Sequence, residues 1–185
     1  MIKVSLVIPH YPSEQTDAAL DKCLASFEGQ YDELMLVVND GIGYGQAVNL
    51  GLKYCTGDYI IVSNNDIILK KGELRYLAWP SSITVPLIDP PAKDHMPRAI
   101  FGMPKNIYEK IIQRDGFFYD PIFEIGYWED DDLIRRLEDI PVILDTGILV
   151  EHTNGGGMTM KQMGEQKWHD INKKVFENKW PDTYS

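Results

Sequence analysis

Residues 57–67 read GDYIIVSNNDI. An apolar, β-branched run from Tyr59 to Val62 breaks without any linker into Ser63-Asn64-Asn65-Asp66. A run that is apolar at successive positions reads as a strand covered on both faces. In open α/β sheets, ligands bind at the carboxyl ends of such strands. The stretch therefore predicts a buried parallel strand that delivers an acidic corner to a binding edge.

Lys3 to Pro9 (KVSLVIP) and Glu33 to Asn39 (ELMLVVN) read the same way and predict two more buried strands. Thr16 to Phe27 sets Ala19, Leu20, Cys23, Leu24 and Phe27 at helical spacing, with Thr16 or Asp17 as the expected cap. Gly45 to Tyr54 offers Ala47, Val48, Leu50 and Leu52 as the apolar positions of a second helix. Alternating strands and helices predict an α/β fold with a parallel sheet. The three strand ends then bring Pro9-His10, Asn39-Asp40 and Asn64-Asn65-Asp66 to one polar edge.

Downstream the pattern is less regular. Trp79 to Asp94 carries Pro80, Pro86, Pro90 and Pro91 around one short strand, Ile83 to Ile88. Arg98 to Met103 predicts another strand, and Pro104 a helix to about Arg114 with proline in its first turn. Gly116 to Tyr127 is an aromatic-rich loop. Glu129 to Glu138 predicts a short helix whose early carboxylates suit the positive end of its dipole. Pro141 to Asp145 and Ile148 to Glu151 read as strands, Thr153 to Gly157 as a flexible loop, and Lys161 to Trp180 as an amphipathic helix.

The 185 residues suit one domain, and 44% hydrophobic with 25% charged residues is an ordinary globular balance. A net charge of −10 argues against a general nucleic-acid or anionic-membrane binder. A divalent cation reconciles such a chain with a phosphate ligand. Met1-Ile2-Lys3 runs straight into a strand too short to span a bilayer, so no signal peptide and a cytoplasmic location are expected. Cys23 and Cys55 read as buried, reduced thiols on helices.

Three features carry chemistry. Asp66 at a strand end suits Mg²⁺ or Mn²⁺, hard ions that prefer oxygen; the alternative is a plain turn. Trp128-Glu129-Asp130-Asp131-Asp132-Leu133 crowds four carboxylates at a helix start. Mutual repulsion raises the pKa of one and makes a general base, with Glu129 or Asp130 facing inward and Leu133, Ile134 and Leu137 as anchors. The alternative there is a solvated, capped helix start. His152, before the glycine triplet Gly155-Gly156-Gly157, is either a metal ligand or a structural histidine. Gly41-Ile42-Gly43-Tyr44-Gly45 does not fit a dinucleotide loop: Gln46 takes the last glycine's place, and the loop follows the second strand.

In order, these segments resemble inverting glycosyltransferases of family two with the GT-A fold, and most closely the rhamnosyltransferase-like branch. The resemblance rests on VSLVIPHY (4–11), LVVND (36–40), GQAVNLG (45–51), GDYIIVSNNDI (57–67), GYWEDDDLIR (126–135), Val150-Glu151-His152 with its glycines, and FENKW (176–180). His10 is a departure from the family's more frequent Thr. The resemblance implies a three-layer α/β sandwich with a mostly parallel central sheet and a Rossmann-like first half. It implies a single domain over 1–185, with a nucleotide-sugar half over 1–78 and an acceptor and catalytic half over 79–185. It implies a nucleotide-diphosphate sugar donor, held by Pro9, His10, Asn39, Asp40, Gly45, Asn49, Asn64 and Asn65. Asp66 and His152 become ligands to Mn²⁺ or Mg²⁺, and Asp130 the base that activates a hydroxyl of a saccharide or other acceptor. Glu129, Trp128 and Tyr127 are the expected acceptor contacts, and Tyr119, Phe123, Tyr127 and Trp128 form either a stacking platform or core packing. The scarcity of Lys and Arg near the motifs favours a neutral or deoxy sugar. Two other classes fit the same fold: a non-catalytic nucleotide-sugar-binding protein, and a nucleotidyltransferase, which usually needs a basic phosphate loop that Pro9-His10-Tyr11-Pro12 lacks.

Overall fold

A computed structural model describes residues 2–91, 94–153 and 165–183. The first half alternates as the sequence predicts: β1 (Val4–His10), α1 (Glu14–Ser26), β2 (Glu33–Val38), α2 (Tyr44–Tyr54) and β3 (Tyr59–Ser63). Then follow β4 (Ile67–Lys71), a 3₁₀ turn (Leu74–Leu77), β5 (Ile83–Asp89) and β6 (Ile100–Pro104). Helices α3 (Lys105–Asp115) and α4 (Glu129–Arg136), strand β7 (Val142–His152) and helix α5 (Glu165–Lys179) complete the described elements.

The strands form one sheet in the order β2-β1-β3-β6-β5-β7-β4. β1 pairs parallel with β2 and β3, and β5 with β7, while β6 and β4 run antiparallel to their neighbours. Five of the seven strands therefore point one way, which makes the sheet mostly parallel. Successive side chains of a strand leave by opposite faces. Val7, Ile60, Val62, Val85, Phe101 and Met103 thus enter a core beneath α2, α3 and α4. Leu6, Ile8, Ile61 and Ile100 enter a second core with α1, the 3₁₀ turn and β4. The result is a helix–sheet–helix sandwich. Ile60, Ile61 and Val62 are fully buried; such burial stabilises by roughly 1.5–3 kcal/mol per side chain. Helix α2 lies hard against the sheet because position 51 is glycine: a Cβ there would stand 2.5 Å from Val7 Cγ1 and 3.1 Å from Val37 Cγ2.

The structure corrects several expectations. Ser13, not Thr16 or Asp17, caps α1: its hydroxyl accepts from the Thr16 amide at 3.2 Å, and the Thr16 hydroxyl itself donates to Tyr11 O at 2.5 Å. β2 is an edge strand and is not covered on both faces; Leu36 is 40% and Val38 56% exposed. Leu50 is also exposed, on the outer side of α2. Strand β4, unforeseen, follows the acidic corner directly. Pro104 ends β6 and precedes α3 as its N-cap, so it is not a first-turn residue. The two strands expected across 141–151 are one, β7, whose register against β5 shifts between Pro86 and Leu87. Both cysteines are free and buried, Cys23 on α1 and Cys55 just past α2. The expected loop beyond Thr153 and the first turn of the last helix lie outside the described residues.

Candidate functional site

The corner Asn64-Asn65-Asp66 links β3 to β4 and is folded inward; Asn65 is 9% and Asp66 4% exposed. β4 pairs antiparallel with β7 and sets Ile67 opposite His152. That register brings His152 Nε2 to 3.0 Å from Asp66 Oδ1. The backbone closes the same corner: the amide and hydroxyl of Thr153 both donate to Asp66 O, at 3.1 and 3.0 Å. Asn64 Nδ2 stands 3.5 Å from His152 Nε2, and Asn64 Oδ1 is buried with no hydrogen-bond partner.

The neighbouring strand ends are knitted into the corner. The Asn65 amide donates to His10 Nδ1 at 2.9 Å. Nδ1 is therefore the acceptor, and Nε2 carries the proton that meets Asp17 Oδ1 at 2.8 Å. With both nitrogens engaged, His10 offers a ligand only its ring carbons. The Asn39 backbone N–H donates to His10 O at 2.7 Å, and its side-chain Oδ1 accepts from the Gly43 backbone N–H at 3.0 Å. Pro9 is buried in β1, and Asp40 stands exposed just beyond β2. Gly45 opens α2, close enough to Tyr119 that a Cβ would meet its Cβ at 3.0 Å. Asn49 is engaged by the aromatic loop: its amide donates to Tyr119 O at 2.7 Å and accepts from Tyr119 N at 2.9 Å. Asn49 thus pins the aromatic loop, a position that spacing alone did not reveal.

Four carboxylates open α4, and successive helical side chains leave about 100° apart, so each meets different surroundings. Glu129 is buried, 5% exposed, and its Oε2 has no partner. Asp130 Oδ1 accepts from the Tyr119 hydroxyl at 3.0 Å. Asp131 Oδ1 accepts from Arg98 Nη2 at 2.9 Å, and Asp94 holds the same guanidinium at 3.1 Å. Asp132 is fully buried between Arg136 Nε at 2.8 Å, Lys179 Nζ at 2.6 Å and Trp180 Nε1 at 3.0 Å. Burial pushes Asp130 up to about 6; Arg98 and the Tyr119 hydroxyl oppose it. Burial, then the charge of Asp130, also holds Glu129 well above the usual carboxylate range. Repulsion within the cluster, the cause expected from sequence, ranks behind loss of water.

The approach to α4 is unusual backbone. Ile125, Tyr127 and Trp128 have φ of 63°, 71° and 73°, the left-handed region that non-glycine residues enter at a cost on the order of 1 kcal/mol or more. Gly43 packs onto this loop so closely that a Cβ would stand 2.7 Å from Ile125 N, and the Tyr44 amide donates to Ile125 O at 2.6 Å. The platform reading of the loop's aromatics fails for two residues: Tyr119 and Phe123 are buried in the core, 0% and 2% exposed. Tyr127 and Trp128 are half-buried against α5, with the Trp128 ring 5.1 Å from that of Phe176 and 5.5 Å from that of His169.

Tyr44, unremarked in the sequence beyond its place in the glycine run, joins the two regions. Burial, then Asp130, Glu129 and Asp66, raise its pKa well above that of an ordinary phenol. One side chain therefore feels both the corner and the start of α4. For a divalent cation, Asp66 and His152 supply one oxygen and one nitrogen, a donor pair that suits Mn²⁺. Among the described residues no group of three or more His, Cys, Asp or Glu could hold a metal. A cation here would keep most of its positions for phosphate oxygens and water, as Mg²⁺ commonly does. Among the described residues no helix is long and apolar enough to cross a membrane.

Residues 13–79, which include the corner, match the family model described as glycosyl transferase family 2. No curated protein matches the chain. Its fold is similar to that of GalNAc-T7 with UDP, GalNAc and Mn²⁺ (TM-score 0.60, 12% identity, covering 82% of this chain and 44% of that one). It is also similar to S. aureus TarS (0.56, 11%, 82% and 37%) and to TarS 1-349 in complex with UDP-GlcNAc (0.56, 11%, 85% and 61%). The chain therefore spans roughly a third to three-fifths of the length of these structures. The helix–sheet–helix sandwich is the GT-A glycosyltransferase fold, and the matched segment holds β2, β3 and β4 but neither β1 nor α4.

Proposed function

We propose that the chain moves a sugar from a nucleotide-diphosphate sugar to an acceptor hydroxyl, with Asp130 as general base. The observation that carries this reading is a half-buried carboxylate at the start of α4, held by the Tyr119 hydroxyl at 3.0 Å and raised to about 6. A base with a pKa near the working pH is ionised when needed and still takes up a proton readily. The family match over residues 13–79 and the UDP, UDP-GlcNAc and Mn²⁺ complexes of structural neighbours support the donor class.

In this reading, residues 1–78 hold the donor and 79–185 supply the acceptor side and the base. Asn39, Asp40, Asn64 and Asn65 face the nucleotide, and Asp66 with His152 holds Mn²⁺ or Mg²⁺. The cation would stabilise charge on the departing diphosphate. Asp130 removes the acceptor proton as that oxygen attacks the anomeric carbon in a single, inverting displacement, while Glu129, Tyr127 and Trp128 border the acceptor. Arg98, the cation beside α4, is already shared by Asp94 and Asp131, which favours a neutral or deoxy sugar. The rhamnosyltransferase-like branch rests on the motifs, so dTDP-rhamnose belongs in the donor panel.

The test is release of nucleoside diphosphate from UDP-glucose, UDP-N-acetylglucosamine and dTDP-rhamnose with Mn²⁺. Wild type is expected to turn over at least one. Asp130→Asn should fall by about a thousandfold while donor binding stays within about twofold. An Asp130→Asn chain that keeps its turnover would sink the base assignment, and a wild type that binds donors without turnover would point to a non-catalytic binder.

A further inference from the structure

Three residues of the loop before α4 hold left-handed backbone, yet only Gly126 among residues 125–128 is glycine. Something outside the loop must hold it. Asn172, on α5, turns its NH₂ to Glu124 O at 2.8 Å, Gly126 O at 2.8 Å and Tyr127 O at 3.2 Å, so that its two hydrogens are shared among three carbonyls. It is 1% exposed, so water does not stand in for it. Its own Oδ1 is buried with no partner. The amide is thus oriented for what it donates, at the expense of what it accepts; turned over, it would set an oxygen against three carbonyls. The fourth carbonyl, of Ile125, is taken by the Tyr44 amide at 2.6 Å. The loop is clamped from α5 on one side and α2 on the other, and Trp128 follows it as N-cap of α4 without a side-chain cap bond.

We propose that Asn172 is a positioning residue for Asp130: from the last helix it holds the backbone of residues 124–127 on the path that delivers the first turn of α4 to the site. This rests on the reading of Asp130 as base. Asn172 has no bond to the corner at Asp66, so its role separates chemistry from donor binding.

Asn172→Asp keeps the volume and removes the NH₂ donor. The assay uses whichever of UDP-glucose, UDP-N-acetylglucosamine and dTDP-rhamnose the wild type hydrolyses with Mn²⁺; UDP binding with Mn²⁺ is read by calorimetry. N172D is expected to lose at least about tenfold in turnover, with UDP binding within about twofold of wild type. In a D130N background the substitution should add no further loss, because residues that act as a unit are not additive. Should N172D not fold, Asn172→Ser, too short to reach three carbonyls, is measured by the same criteria. Unchanged turnover, an equal fall in turnover and UDP binding, or a full additional loss in the D130N background overturns the proposal. D130N at the wild-type rate overturns the reading of the base, and this inference with it. D130N slow beside a fully active N172D overturns this inference alone. A wild type that hydrolyses none of the donors overturns both.

Discussion

His152 Nε2 stands 3.0 Å from Asp66 Oδ1 because β4 and β7 pair with Ile67 opposite His152. Two residues far apart in the chain meet through strand register, and register is fixed by backbone hydrogen bonds before any ligand arrives. The pair is preformed by the fold, with both side chains largely buried.

Asp66→Ala removes the only carboxylate of that pair. UDP binding measured with and without Mn²⁺ is expected to lose its metal dependence, by about tenfold or more in affinity, equivalent to about 1.4 kcal/mol. His152→Ala should weaken it less, since the carboxylate remains. Unchanged Mn²⁺ dependence in D66A would argue against the metal role.

The base assignment fixes a pH profile. Asp130, raised by burial to about 6, must lose its proton to act, so kcat/KM should fall on acidification with a midpoint near 6. Stability moves the other way. The folded-state pKa lies above the ordinary 3.8, so folding favours the protonated carboxyl; that contribution is complete below the ordinary value and is lost as pH rises through about 6. Asp130→Asn lacks the titration. Its stability relative to wild type should therefore improve between pH 4 and 8, by at most about 3 kcal/mol, read by denaturant unfolding at each pH.

Tyr119→Phe removes the hydroxyl that donates to Asp130 Oδ1 and lowers its pKa. The acidic limb of the kcat/KM profile should move upward in pH, while stability falls by about 1 kcal/mol. A limb that stays in place would show that the phenol does not tune the base.

Asn49→Ala leaves the Tyr119 amide and carbonyl without their partner. A loss of about 2–3 kcal/mol in unfolding free energy is expected. If UDP affinity stays within about twofold in the folded variant, Asn49 holds the aromatic loop and not the nucleotide.

Asp132→Ala would strip a fully buried carboxylate from Arg136 and Lys179. Removing one partner of a buried ion pair typically costs about 3–5 kcal/mol. The variant should melt well below wild type and lose the docking of the C-terminal end of α5 first, visible as faster amide exchange around Trp180.

The first half of the fold was legible because its strands are apolar runs and its helices carry one apolar stripe, and both periods are local. The place of β2 was not. ELMLVVN reads as covered on both faces, and only sheet order shows that one face of an edge strand stays open. β4 was missed because Ile67–Lys71 is five residues ending in two lysines, with no period to detect; it exists through pairing with β7. In the site, Asp66, Asp130 and His152 stood out by type and setting. Tyr44, Arg98 and Asn172 did not, because a phenol beside glycines, an arginine before a strand and an asparagine in a helix acquire meaning only from what lies across the fold from them.

The start of α4 has a consequence for genetics. Residues 129–132 are chemically alike in sequence, yet each carboxylate ends in different company. A saturation scan across them should return four unlike phenotypes in a row: altered substrate tolerance at Glu129, loss of catalysis in folded protein at Asp130, mild electrostatic change at Asp131 and loss of soluble protein at Asp132. A single turn of helix would then act as a sorting device, one that no measure of local acidity could anticipate.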